Sequence, residues 1–152
     1  MELEQELKER GVISSNFKCA LGNEIYLTDT REPKQKYWHF LLIAKNTRGH
    51  RALRELSSKA WLNSYTDRRM ERCPTLKSEL VEIVKKYPGS LVADTACLGS
   101  EFDTYVLNLV EAEKKEDSEE ILKWKIKIRD FLGFCLDLFE DDFYIEIAPG
   151  VS

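Results

Sequence analysis

Three side chains able to do chemistry stand inside or just beyond apolar, strand-like runs. Glu24 lies in Leu21-Gly22-Asn23-Glu24-Ile25-Tyr26, His39 in Trp38-His39-Phe40, and Cys97 just after Leu91-Val92-Ala93-Asp94-Thr95-Ala96. Glutamate, histidine and cysteine are all metal ligands, and sites assembled from the ends of separate strands are common in α/β enzymes. Burying an unpaired Glu or His costs several kcal/mol, roughly, unless a partner or a metal compensates. A core hydrophobe in each place would be cheaper, so the three together predict a shared site at one mouth of a sheet. Each alone has a plainer reading. A lone buried His is more often a hydrogen-bonded core residue, a lone Cys a small hydrophobe, and Glu24 an exposed strand end.

The elements that must position them follow from periodicity. Glu2 to Arg10 reads as a short helix stopped by Gly11, and Phe17 to Leu27 as a strand. Gly22 inside that strand marks close approach of another backbone or a ligand. Thr28 to Lys36, with Pro33, reads as a loop. Tyr37 to Ala44 is apolar on both faces, as a strand buried on both sides is. Asn46 is a good N-cap for a helix carrying Leu53, Leu56 and Ala60 at helical spacing. Asn63 to Cys73 reads as a surface loop. Pro74-Thr75 opens a helix with the stripe Leu76, Leu80, Ile83, Val84 and Tyr87, stopped by Pro88-Gly89.

Ser90 to Ala96 reads as a short buried strand. Glu101 to Ala112 is helical, with Phe102, Tyr105, Val106, Leu109 and Val110 on one side. Asp117, with Glu120 three residues on, resembles a capping box for a helix reaching about Phe139. That helix carries Ile121, Trp124, Ile128, Phe131, Leu132, Cys135 and Leu138. Phe143 to Ile147 reads as a last strand and Pro149-Gly150 as a closing turn. Strands alternating with helices predict an α/β fold: a largely parallel sheet with helices outside and right-handed connections. The chain stops right after a strand, so a piece of a larger protein is expected.

The bulk properties narrow the class. The 152 residues suffice for one domain with a core, and 43% hydrophobic with 33% charged residues describes a globular chain. A net charge of −4 argues against tight nonspecific nucleic-acid binding by this chain alone. No apolar run approaches the roughly 20 residues that cross a bilayer, so no membrane is expected. The four cysteines, Cys19, Cys73, Cys97 and Cys135, form no CxxC pair, so free thiols in a reducing cytoplasm are expected. No phosphate-binding glycine loop, GxSxG or HExxH is present. Arg48, Arg51 and Arg54 on the first long helix could meet phosphate. Lys123, Lys125, Lys127 and Arg129 read as a solvated helix face, and His50 as a surface residue.

Three segments together resemble the PHP (polymerase and histidinol phosphatase) domain, in the version found in bacterial replicative DNA polymerase III alpha subunits. Leu21-Gly22-Asn23-Glu24-Ile25-Tyr26-Leu27 resembles its G-C-E-x-Y strand. His39-Phe40-Leu41-Leu42-Ile43-Ala44-Lys45-Asn46, with Gly49 and Leu53, is similar to its H-L-x-L-L-A-K-N-x-x-G-x-x-x-L. Thr95-Ala96-Cys97-Leu98-Gly99-Ser100-Glu101 is similar to its S/T-G-C-L-x-G-E. Asn23 stands where Cys is usual and Ala96 where Gly is usual. The family's opening H-x-H and closing D-x-H motifs are absent.

The resemblance implies that residues 1–152 are a partial PHP domain, an incomplete distorted β/α barrel. It carries metal-ligand roles over to Glu24, His39 and Cys97, the last as thiolate. It implies a divalent metal, whether zinc, manganese or magnesium, in a complete domain. Three ligands alone leave that site incomplete, so weak binding at most is expected here. It implies as partners the rest of a polymerase alpha subunit and, through it, DNA and replisome proteins, in the cytoplasm. Unpaired strand edges predict self-association. The rival reading is a noncatalytic interaction module whose acidic, aromatic C-terminal part binds a partner protein.

Overall fold

The computed structural model describes residues 2–32, 35–67 and 69–147. Pro33 of the expected loop and the closing Pro149-Gly150 lie outside the described residues. The chain runs α1 (Glu2–Glu9), β1 (Leu21–Thr28), β2 (Trp38–Ala44), α2 (Thr47–Leu62), β3 (Tyr65–Asp67), β4 (Met70–Arg72), β5 (Pro74–Leu76), α3 (Lys77–Lys86), β6 (Leu91–Asp94), α4 (Glu101–Lys114), α5 (Ser118–Phe139), a 3-10 turn (Glu140–Asp142) and β7 (Phe143–Tyr144).

Five strands form one sheet in the order β5-β1-β2-β6-β7. The class is mixed α/β, as expected, but the sheet is not largely parallel. β2 runs antiparallel to both β1 and β6, while β5 lies parallel to β1 and β7 parallel to β6. The physical reason lies in the connections. Only residues 29–37 join β1 to β2, and that is shorter than the dozen or so residues that a parallel crossover needs. After β2 the chain passes through α2, lays β5 on the far side of β1, and returns through α3. β6 therefore enters running with β1 and against β2. Neither is the barrel closed. Among the described residues the sheet is open, with β5 and β7 at its edges.

The helices cover one face. Ile25 and Leu27 of β1, Phe40 and Leu42 of β2, and Leu91 and Ala93 of β6 share the core with Leu53 and Leu56 of α2, Leu80 and Val84 of α3, and Phe131, Cys135 and Phe139 of α5. Each fully buried Leu or Phe contributes roughly 1.5–3 kcal/mol. Residues one position along each strand point the other way. Glu24, Tyr26, His39, Leu41, Ile43 and Asp94 thus share the opposite face, where all are half-buried or exposed. β2 is therefore buried on one side, not on two.

Local sequence explains the α2 boundary. Asn46 is extended, and its Oδ1 accepts the Gly49 N–H at 3.0 Å. Asp117 Oδ1 accepts the Glu120 N–H at 3.1 Å at the start of α5. Several boundaries differ from the sequence reading: β1 begins at Leu21, not Phe17, and β6 spans only Leu91–Asp94. The 63–73 segment carries the β3–β4 hairpin, Pro74-Thr75 belongs to a strand pairing with β1, and β7 stops at Tyr144. Pro74 sits at the first position of β5, where a missing N–H is tolerated. On α4, Val110 is exposed instead of joining the apolar side.

Candidate metal centre

β1 and β2 pair with Tyr26 opposite His39 and Glu24 opposite Leu41. Glu24 and His39 are thus diagonal neighbours on one face, within reach of each other's long side chains. Cys97 arrives by a turn. Beyond Asp94 the chain leaves β6, Ser100 N–H donates to the Cys97 carbonyl at 2.8 Å, and His39 N–H donates to the Gly99 carbonyl at 3.1 Å. This is a separate, parallel bridge between His39 and Ser100 beyond the antiparallel β2–β6 pairing, and it lays Cys97 beside the imidazole.

The three side chains meet. His39 Nδ1 lies 2.6 Å from Glu24 Oε1 and 3.3 Å from Cys97 Sγ. One ligand atom from each falls within 4.8 Å of the others. The imidazole is further held by the Tyr26 ring at 5.3 Å, which itself lies 4.9 Å from Tyr37. The expected burial is absent, however. Glu24 and Cys97 are exposed and His39 half-buried, so the cost of burying unpaired polar groups does not account for their presence. Glu24 fits its plainer reading as an exposed strand position, and what sets the three apart is their convergence on one point.

Both acidic partners address the same ring nitrogen. A nucleophile relay needs the thiol on one ring nitrogen and the orienting carboxylate on the other. Here Glu24 and Cys97 converge on Nδ1, leaving a cluster that surrounds a point instead of a relay that passes a proton along. Carboxylate, imidazole and thiol at one point form a donor set suited to a divalent metal. Two ligands of one tetrahedral ion stand roughly 3.4 Å apart, judged from usual ligand distances of about 2.1 Å. The Cys97–His39 spacing is close to that, whereas the Glu24–His39 contact at 2.6 Å is shorter and would have to open for the two to share a metal.

More acidic groups lie near the cluster. Asp94 uses Oδ1 to accept the Ala96 N–H at 2.7 Å. The Asp94 charge, together with partial desolvation and a hydrogen bond between the two, raises the Glu146 carboxyl above the usual carboxylate range, and Glu24 adds to the effect. The sequence reading missed Glu146. The available signal was one charged residue inside the apolar run Phe143-Tyr144-Ile145-Glu146-Ile147. Thr95, fully buried, holds that segment. Its N–H donates to the Tyr144 carbonyl at 3.2 Å, and its Oγ1 accepts the Glu146 N–H at 3.0 Å.

The motif residues outside the cluster are structural. Lys45 pairs with Asp142 beyond the end of α5. Glu101, 5% exposed, takes hydrogen bonds from Lys77 Nζ at 2.9 Å and Tyr105 Oη at 2.7 Å. Arg48, Arg51, Arg54 and His50 are exposed on α2, away from the cluster. The four cysteines are unbridged, and burial pushes the Cys135 thiol up to about 12.

A PHP domain model matches residues 1–149. The chain belongs to the PHP domain family. A protein described as a probable DNA polymerase YorL from Bacillus subtilis is 41% identical over 97% of this chain, and the match covers 12% of that protein. A DNA-directed DNA polymerase of Bacillus phage SPbeta matches with the same figures. The DNA polymerase III subunit alpha of Helicobacter pylori is 27% identical over 93% of this chain and 11% of its own length. This PHP chain thus spans only about an eighth of the length of these two relatives. No described helix of it is long and apolar enough to cross a membrane.

Proposed function

We propose that this chain is the central part of the PHP domain of a replicative DNA polymerase related to the III alpha subunits, bacterial or phage, working in the cytoplasm. In that reading the domain acts as a metal-dependent phosphoesterase that removes mispaired 3′ nucleotides from DNA. The observation that carries it is the convergence of Glu24 and Cys97 on His39 Nδ1. The identity to polymerases along almost the whole chain supports it.

Glu24, His39 and Cys97 would hold a divalent metal, which polarises a phosphate and lowers the pKa of bound water when present. Further ligands from the rest of the polymerase would complete the centre, and the same polypeptide would supply DNA and replisome contacts.

A scaffold reading has its own support. Leu107 and Val110 of α4 and Leu122 and Ile126 of α5 are 54%, 41%, 61% and 39% exposed. Apolar groups in that number suit burial against another domain or partner. The deciding experiment compares metal content and 3′ exonuclease activity of the parent polymerase with and without His39→Gln. Loss of both with polymerisation retained supports the phosphoesterase. Unchanged metal content and nuclease activity would leave the scaffold.

A further inference from the structure

We propose that Gly99 is a positioning residue for the cluster, setting how closely the His39 imidazole and the Cys97 sulfur approach each other. The proposal rests on the metal reading above and concerns which residue makes that geometry attainable. Three contacts point to Gly99. Its carbonyl accepts the His39 N–H at 3.1 Å. Its own N–H donates to Cys97 Sγ at 3.4 Å. A β-carbon placed on it would stand 3.2 Å from His39 Cγ and Cδ2 and 3.3 Å from Nδ1.

Carbon atoms settle about 3.5–4.0 Å apart, so any side chain at this position pushes the imidazole aside by several tenths of an ångström. The atom displaced is the one on which Glu24 and Cys97 converge. Backbone conformation does not demand glycine here, because the positive-φ glycines are Gly11 and Gly89. The reason for glycine is thus the imidazole itself. In the family pattern this is the free position, and Ser100 takes the place where the pattern has glycine.

The test uses the full chain, with cobalt(II) and zinc as probes. Gly99→Ala should weaken binding of both ions by about 10- to 100-fold, the usual effect of disturbing a ligand's support. It should also weaken the sulfur-to-cobalt absorption band at saturation. In metal-free melts, Gly99→Ala should lower the transition of the wild-type chain but leave that of His39→Ala unchanged, because the ring it strikes is gone. Equal affinity with an unaltered band would overturn the proposal, as would an equal loss of stability in both backgrounds. Should Gly99→Ala fail to fold, a folded His39→Ala/Gly99→Ala pair supports the proposal and an unfolded one overturns it. Where the wild-type chain alone binds neither ion, the metal reading is judged on the parent polymerase, and the melting cycle alone judges Gly99.

Discussion

The first turn of α2 runs so close to Ser90 that a β-carbon on Gly49 would lie 2.1 Å from the Ser90 carbonyl oxygen. The same carbonyl accepts the Lys45 N–H at 2.9 Å, so it cannot turn away without losing a bond. The family's glycine three residues after the capping asparagine is thereby explained by close approach of backbone, with no role at the site. Alanine exceeds glycine in helix propensity by about 1 kcal/mol, which on local grounds makes Gly49→Ala stabilising. The contact reverses the sign. The expected outcome is a loss of about 2 kcal/mol or more, at the upper part of the overpacking range, read as a lower midpoint in urea unfolding.

Ala96 has φ +62°, in the left-handed region where a β-carbon crowds the following carbonyl. Asp94 Oδ1 holds it there through the Ala96 N–H. Relatives of the pattern place glycine at this position, and Ala96→Gly should raise stability by about 1 kcal/mol, the cost of left-handed conformation for a residue with a side chain. Thermal unfolding checks the direction. No gain would show that the extra freedom of glycine in the unfolded chain offsets the relieved strain.

Lys77 and Glu101 join α3 to α4 beneath the sheet edge. Burial pulls the Lys77 ammonium down, but Glu101 and Asp29 together outweigh it and hold it above the usual lysine value. Burial, then the Glu101 hydrogen bond, also raises the Tyr105 phenol well above its usual range. Both groups keep their protons more tightly folded than unfolded. Their stabilisation is full below the unfolded values, near pH 10, and is lost as pH rises through the folded ones. Melting temperature should therefore hold from pH 7 to about 9 and fall steeply above about 10. Lys77→Met alone should cost about 3–5 kcal/mol by leaving the Glu101 carboxylate buried without its cation, while Lys77→Met with Glu101→Leu should recover much of that loss and flatten the alkaline fall.

Helix positions were legible in the sequence because helices are local. The Asn46 and Asp117 caps, the Leu53-Leu56-Ala60 and Phe131-Cys135 stripes and the stop at Pro88-Gly89 depend on neighbours within four residues along the chain, and the structure contains them. The β3–β4 hairpin and β5 were not legible. Their strands are three residues long, too short for a period-two pattern, and β5 exists only because β1 offers it a free edge.

Residue identity alone singled out Glu24, His39 and Cys97, because ligand-type side chains next to Leu, Phe and Ala stand out in any linear reading. What the three can do together was decided by tertiary structure. Two strands that a parallel sheet would have separated by a crossover lie side by side in antiparallel register, which puts Glu24 diagonal to His39. A turn between residues far along the chain then brings Cys97 to the same nitrogen. Strand direction, the bare face and the shared Nδ1 all arise from hydrogen bonding between segments distant in sequence. No periodicity within a segment encodes that pairing; it is set by the lengths of the connections and by which edges remain free once the core has closed.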